Sequence, residues 1–517
     1  HCLCANETTR DALREELLAL GAPTGVSAAV LREERLPYTD NLVNLLVASL
    51  PGLDASGIGI GDVVRVLTPL GSAFIEAPTA RVAVEAQGVG AVHRLTMIAD
   101  RNWARVDKPW PRQIDEWTHY LHGADGNAVA VDDLVGPPMH YQWQSGPKWL
   151  RSHETDSSLR TMVTSRGKLY YILDESPISV AGNHPLPDKW FLVAQDAFNG
   201  VRLWKVPIRR WGWREWKSTW FSNRPADIPL NIQKRLVAVG DRVFVTLGYR
   251  APVSVLNART GDILQTIGGT EGTSEILHVN DTLVLSVLRT DGLRLMAADA
   301  KSGAIRWETK GRYGGSTVDY VKMTSRYAKL PPMTLDPSLN TATDGKVIAF
   351  IDGGDVVCLD MADGRERWRT PFPSDPADDG AGGTKTKGDL WIGTMIVVDD
   401  VVVHAGPNSL AALSATTGSV LWRQPKKYIG HLWYEWKDVF VIDGLVWTWS
   451  AEFDTATFDI GRNRMQREYW PKTVNGYDLR TGETEKEIPL GEIFRAHHHH
   501  RCYRNKATSK YILASRR

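Results

Sequence analysis

RLVAVGDRVFVTLGYRAPVSVLNARTGDILQTI, Arg235–Ile267, decides the fold. Its apolar residues fall into four short runs, Leu236–Val239, Val243–Leu247, Val253–Leu256 and Ile263–Ile267. They are rich in the β-branched residues that suit a pleated sheet. Gly240-Asp241 and Thr260-Gly261-Asp262 supply turns, and Gly261 takes the positive φ of the last one at no steric cost. The pattern predicts four antiparallel strands. The same grammar returns in Glu275–Leu288 with Leu293–Thr309, and in Met395–Gly406 with Ser409–Gln424.

Working outward, the end of this unit recurs along the chain. It reads DAFNGVRLW from Asp196, NARTGDILQ from Asn257, DAKSGAIRW from Asp299, DMADGRERW from Asp360, SATTGSVLW from Ser414 and DLRTGETEK from Asp478. The glycines Gly200, Gly261, Gly303, Gly364, Gly418 and Gly482 stand 61, 42, 61, 54 and 64 residues apart. Self-similarity at this period, with four strands per unit, predicts a β-propeller of four-stranded antiparallel blades. Six blades are visible, the first opening near Met162, and YILASRR from Tyr511 reads as the opening strand of a seventh. Trp204, Trp307, Trp368 and Trp422 lie four residues beyond their glycines, where Gln265 and Lys486 stand in the other two units. A ring there can pack between blades, so these tryptophans read as structural.

The Asp-x-x-x-Gly-x-x-x-Trp grammar resembles the pyrroloquinoline quinone (PQQ) repeat of quinoprotein alcohol dehydrogenases and their non-enzymatic relatives, over residues 160–517. The resemblance implies seven to eight blades in the full protein, the last incomplete in this chain. It also implies PQQ with calcium as cofactor, oxidation of alcohols or sugars, and a periplasmic or secreted location. The adjacent Cys-Cys pair that caps the quinone in many of those enzymes has no counterpart among Cys2, Cys4, Cys358 and Cys502.

Residues 1–100 read as a small α/β Rossmann-like partial domain. A helix-like stretch, DALREELLALG, leads into GVSAAVL; LPYTDNLVNLLVAS spans Leu36–Ser49, and DVVRVLTPLGSAFIE spans Asp62–Glu76. These resemble the second half of a class I methyltransferase that uses S-adenosylmethionine, with Leu70 where the family has the first of two turn glycines. The Gly-rich cofactor loop of that family is missing, and Cys4 falls where an acidic residue would hold the ribose. S-adenosylmethionine binding and methyl transfer are therefore not expected. The combination resembles large multidomain proteins of planctomycete-type bacteria.

Composition narrows the function classes. With 61 basic and 60 acidic residues the net charge is +1, which argues against a nucleic-acid partner. No stretch approaches the ~18 apolar residues of a membrane span. No signal peptide is visible, and the chain, which opens on His1, reads as a piece of a longer protein.

Three clusters could carry chemistry. In the linker, residues 101–158, a short helix over Ile114–Leu121 would put Asp115, His119 and His122 on one face for acid–base or metal chemistry, with Glu116 and Asp125 beside them. Arg151, His153 and Glu154 could join them as catalytic groups. His497, His498, His499, His500 and Cys502 are ligand types for zinc or copper, with Arg501 and Arg504 placed to bind an anionic substrate group. Trp211, Trp213, Arg214 and Trp216, together with His431 and Trp433, could hold sugar rings. Three functions stay open: a PQQ-dependent oxidoreductase, a metal-assisted carbohydrate-active enzyme, and a non-catalytic scaffold like the propeller of the outer-membrane assembly machinery. The partner is accordingly a small molecule, a glycan or a protein.

Overall fold

A computed structural model describes residues 1–21, 24–136, 139–148, 150, 158–176, 189–216, 232–315, 336–371, 393–406, 409–425, 438–449, 473–490 and 506–513. The chain divides into two compact units. One is His1–Arg112 with Met139–Gln144 and Asp196–Val201; the other is Gln113–Pro138, Ser145–Gln195 and Arg202–Arg517.

In the first unit, β1 (Cys2–Cys4) and β2 (Ala28–Val30) pair in parallel across helix α1 (Glu7–Ala19). Asn6 caps α1 by accepting from the Thr9 amide at 2.9 Å. A second sheet holds β3 (Val43–Ser49), β4 (Leu67–Glu76), β5 (Val92–Ile98) and β6 (Arg101–Asp107) in the order β3-β4-β6-β5. β3 and β4 are parallel, and β6 runs antiparallel to both neighbours. Helices α2 (Leu50–Ala55), α3 (Ile60–Val66) and α4 (Ala80–Gly88) turn Leu53, Ile60, Val63, Val82 and Ala86 into one core with Ala73 and Ile75 of β4. The LPYTD stretch is pinned by Arg65, which donates to Leu36 O, Tyr38 O and the carboxylates of Asp40 and Asp62. Leu70 adopts φ +65°, the conformation a glycine would take without strain. The boundary expected at residue 100 falls between the two strands of the β5–β6 hairpin, and this unit runs on to Arg112.

The second unit is mainly β, built from the expected four-stranded antiparallel blades. Blade one is Leu159–Ser165, Lys168–Asp174, Trp190–Asp196 and Arg202–Pro207. Blade two is Leu236–Val239, Arg242–Thr246, Val253–Asn257 and Ile263–Thr266, within a residue or so of the four runs in the sequence. Blade three is Thr273–Val279, Thr282–Arg289, Gly292–Asp299 and Ile305–Glu308, and blade four is Ala342–Thr343, Val347–Asp352, Asp355–Asp360 and Glu366–Pro371. Blade five is Thr394–Val398, Val401–Ala405, Ser409–Ser414 and Val420–Pro425, and blade six is Val439–Ile442, Leu445–Trp449, Thr473–Asp478 and Thr484–Pro489. A seventh unit opens with Lys506–Thr508, which pairs antiparallel with Ile512–Leu513. YIL is therefore the second strand of that unit, not its opening strand as expected. The three-residue first strand lacked an apolar run to announce it.

The repeat motif joins neighbouring blades. Trp204 Nε1 donates to Ala258 O at 3.1 Å, Trp307 to Met361 O at 3.1 Å, Trp368 to Ala415 O at 2.9 Å and Trp422 to Leu479 O at 2.9 Å. Each ring lies against the glycine of the next blade, at Gly261, Gly364, Gly418 and Gly482. Gln265 replaces the ring beneath Gly303 and donates to Ser302 O at 2.5 Å. Within the first unit, Trp143 makes the same contact with Gly200 and donates to Ala197 O at 3.0 Å.

Candidate functional site

The ring of blades has two unlike ends. At one end the first and second strands join through tight turns, such as Arg166-Gly167, Gly240-Asp241, Asn280-Asp281, Asp399-Asp400 and Asp443-Gly444. At the other, most connections into a first strand are long. They run 28 residues between Pro207 and Leu236, 33 between Glu308 and Ala342, 22 between Pro371 and Thr394, 13 between Pro425 and Val439 and 16 between Pro489 and Lys506. The connection from Thr266 to Thr273, with 6 residues, is the short exception.

The segment expected to be a helix crosses the tight-turn end without forming one, and it turns at Tyr120-Leu121, where His119 and His122 exchange backbone hydrogen bonds at 3.1 and 3.2 Å. Its backbone groups are taken by blade after blade, so no helical ladder forms. Trp117 O accepts from Thr164 N at 2.7 Å in blade one, and Thr118 O from Ala238 N at 3.0 Å in blade two. The ring of His119 accepts from His278 N at 2.9 Å in blade three. Ala124 O accepts from Thr343 N at 2.9 Å in blade four, and Asp125 O from Val397 N at 3.0 Å in blade five. Asn127 bonds both N and O of Val441 in blade six, at 3.0 and 2.9 Å. Val129–Ala130 then pairs in parallel with Ala507–Thr508 of the seventh unit. One segment thus plugs the tight-turn end by visiting the first strand of each described blade in order.

This placement corrects the helix expected over Ile114–Leu121 to set Asp115, His119 and His122 on one face. Both ring nitrogens of His119 are engaged, Nε2 with the His278 amide and Nδ1 with Thr118 Oγ1 at 2.8 Å, so neither nitrogen is left for a metal. Burial, with the nearby imidazoles and Lys234, holds His119 neutral, its pKa pushed down to about 3. His122 turns away to pair with Asp115 at 2.7 Å. Burial raises the Asp115 carboxyl, but its bond to His122 and the amides of Val131 and Glu116 outweigh that and hold it low. Burial pushes Asp125 up. Among the described residues no group of three or more His, Cys, Asp and Glu could hold a metal ion.

The long-loop end carries a buried polar layer where the first strands begin. Glu275 Oε1 accepts from Ser338 Oγ, Leu339 N at 3.1 Å and Asn340 N at 2.8 Å; Oε2 accepts from Thr341 N and Oγ1, both at 2.8 Å. Lys234 stands 3.5 Å from Oε2 and donates to Asn340 Oδ1 at 2.9 Å and Thr341 O at 3.1 Å. Burial would raise the Glu275 carboxyl, but Lys234 and these donors hold it below its usual range. Arg160, Arg235 and Asp438 are buried at the corresponding positions of blades one, two and six. Sequence reading missed this layer, because a charge at the head of an apolar strand looks like a solvated end. Gln233-Lys234-Arg235 before one strand and Glu275 inside another were the available signals.

Of the other expected site residues, Trp211 and Trp216 are buried in the core shared by blades one and two rather than offered to a sugar. Trp213 and Arg214 lie with Trp216 in a single helical turn, Trp213–Trp216. Arg151, His153, Glu154, His431, Trp433, His497, His498, His499, His500, Arg501, Cys502 and Arg504 lie outside the described residues.

No curated protein matches the chain. Among solved structures, a europium-containing methanol dehydrogenase matches at 13% identity and TM-score 0.43, covering 72% of this chain and 78% of its own. BamB from Moraxella catarrhalis matches at 14% identity and TM-score 0.31, covering 62% and 80%. A quinohemoprotein alcohol dehydrogenase from Pseudomonas putida matches at 13% and 0.37, covering 72% and 66%. A PQQ-repeat family model, described as outer membrane protein assembly factor BamB, matches residues 191–453, which is 263 of the 517. The chain belongs to that PQQ-repeat propeller family.

Proposed function

We propose that the chain is a binding propeller that meets a protein partner through its long-loop end. The observation that carries this is the inequality of the two ends: tight turns and a bonded plug on one, five connections of 13 to 33 residues on the other. Long connections on a rigid scaffold are where binding residues concentrate. Those here hold Trp220, Trp433, Tyr434, Trp436, Arg501 and Arg504 in sequence, the residue types that dominate protein interfaces. The name of the family model, an assembly factor, points the same way. A photo-cross-linking residue in place of Trp433 should capture a partner that the same residue in place of Asn280 does not. Equal capture from both ends, or none from either, would remove the proposal.

A quinoprotein oxidoreductase acting on alcohols or sugars is the second reading, favoured by the buried charges at the long-loop end. Calcium would need carboxylate oxygens there. Glu275 does not fit that role as it stands, because its two oxygens already accept five hydrogen bonds and the charge of Lys234. Calcium-dependent quinone binding decides between the two readings. A metal-assisted carbohydrate-active enzyme would rest on His497–Cys502, outside the described residues. A periplasmic or secreted location fits either reading, as does a first unit that is a methyltransferase remnant. Support for the remnant comes from the parallel β3–β4 pair and the glycine-like φ of Leu70.

A further inference from the structure

We propose that the interface of blades one and two contains a binding site for the carboxylate of a small organic acid, built from Arg235 and the indole N–H groups of Trp190, Trp211 and Trp216. The four side chains belong to one buried cluster. Trp190 and Trp216 have ring centroids 5.6 Å apart, and Trp211 and Trp216 6.1 Å apart. The Arg235 guanidinium lies 5.8 Å from the Trp211 ring and 4.5 Å from that of Tyr249. Arg160 lies 5.7 Å from Trp190 and 5.2 Å from Trp216, adding a second positive charge.

The groups left over here are donors. Among the described residues, Trp190 Nε1, Trp211 Nε1, Trp216 Nε1 and Arg235 Nε are each buried without a hydrogen-bond partner. Arg235 is 2% exposed, and its guanidinium donates from Nη1 to Tyr249 O. The neighbouring acid is already spent: Asp336 accepts from Tyr249 Oη at 2.8 Å and from Arg250 Nη2 at 2.9 and 2.8 Å. A buried donor without an acceptor is costly. Four such donors gathered around aromatic faces indicate a missing acceptor. A carboxylate supplies two oxygens with about four lone pairs in one plane, matching planar N–H donors on indole and guanidinium. This site lies between two blades and does not depend on the loop-end partner proposed above.

The test titrates the full chain with sodium acetate against sodium chloride at equal ionic strength, following tryptophan emission and the thermal midpoint. Acetate should change the emission saturably and raise the midpoint, while chloride does neither. Arg235→Met should weaken acetate binding by more than about tenfold, the loss expected for a charge-assisted bond. If that variant fails to fold, Trp211→Phe keeps an aromatic ring and removes the N–H. It should weaken binding by about three- to tenfold. The proposal is overturned if acetate gives no saturable change where a Kd of about 10 mM would show, or if Trp211→Phe binds acetate as the parent does.

Discussion

Trp307 and Gly364 fit together with no space for a side chain: a Cβ on Gly364 would stand 2.5 Å from Cε3 of Trp307, whose indole donates to Met361 O at 3.1 Å. Gly364 also holds φ +71°. Gly303 has nearly the same φ, +74°, but faces the movable end of Gln265. Gly364→Ala should therefore cost about 2–4 kcal/mol, combining backbone strain with overpacking against a ring. Gly303→Ala should cost about 1–2 kcal/mol, from the strain alone. Urea unfolding of both variants checks the difference; equal losses would mean the ring does not wedge the blades.

The plug makes a second prediction. Asn127→Ala removes the bonds to both N and O of Val441 and leaves those two groups buried. A loss of about 2–4 kcal/mol is expected, two unmade buried bonds' worth. Hydrogen exchange at Val441 should quicken with it. Unchanged protection there would show that the segment lies on the ring without bracing it.

Acid should loosen the propeller early, and the sign follows from two histidines. Burial lowers His119 to about 3 and His404 to about 4, below the ~6.5 of an unfolded imidazole. Above pH ~6.5 both are neutral folded or unfolded, and their full contribution is present. As pH falls below that, the unfolded chain takes up protons first, and stability drops until the folded values are reached. At pH 5 each should have cost about 2 kcal/mol. Glu275, held low, adds its loss only below its unfolded value of ~4.3. His119→Asn should flatten the pH 7 to 5 limb of a denaturation series. A slope equal to the parent's would contradict the buried neutral imidazole.

Lys234→Met should do the reverse to Glu275. Without its cation the carboxyl stays buried among neutral donors, and its pKa rises. The variant should lose about 3–5 kcal/mol at pH 7, the cost of stranding one partner of a buried pair. Adding Glu275→Gln should restore part of that stability, measured by thermal unfolding.

In the first unit, Leu70→Gly should stabilise by about 1 kcal/mol, because φ +65° costs a leucine and not a glycine. A destabilised variant would show that the half-exposed leucine side chain matters more than its backbone.

The blades were legible because their signal is local. Glycines at fixed offsets and β-branched runs sit in the sequence where the turns and strands sit in space, as at Gly261 and Val253–Asn257. The plug was not legible. Trp117, Thr118, Ala124 and Asp125 bind the blades through backbone oxygens, which leave no trace in residue type. The i, i+4, i+7 spacing of Asp115, His119 and His122 suggested a helix that these bonds preclude. The buried layer escaped notice for another reason: Lys234 and Glu275, 41 positions apart, become a pair only once blades two and three are neighbours.

The most direct measurement of the central claim is a titration of the full chain with PQQ, with and without calcium, followed by tryptophan fluorescence. A binding propeller whose Glu275 carboxylate already accepts five hydrogen bonds predicts no calcium-dependent, stoichiometric quenching. Saturable quenching at one equivalent that requires calcium would contradict the account and make the long-loop end a cofactor site.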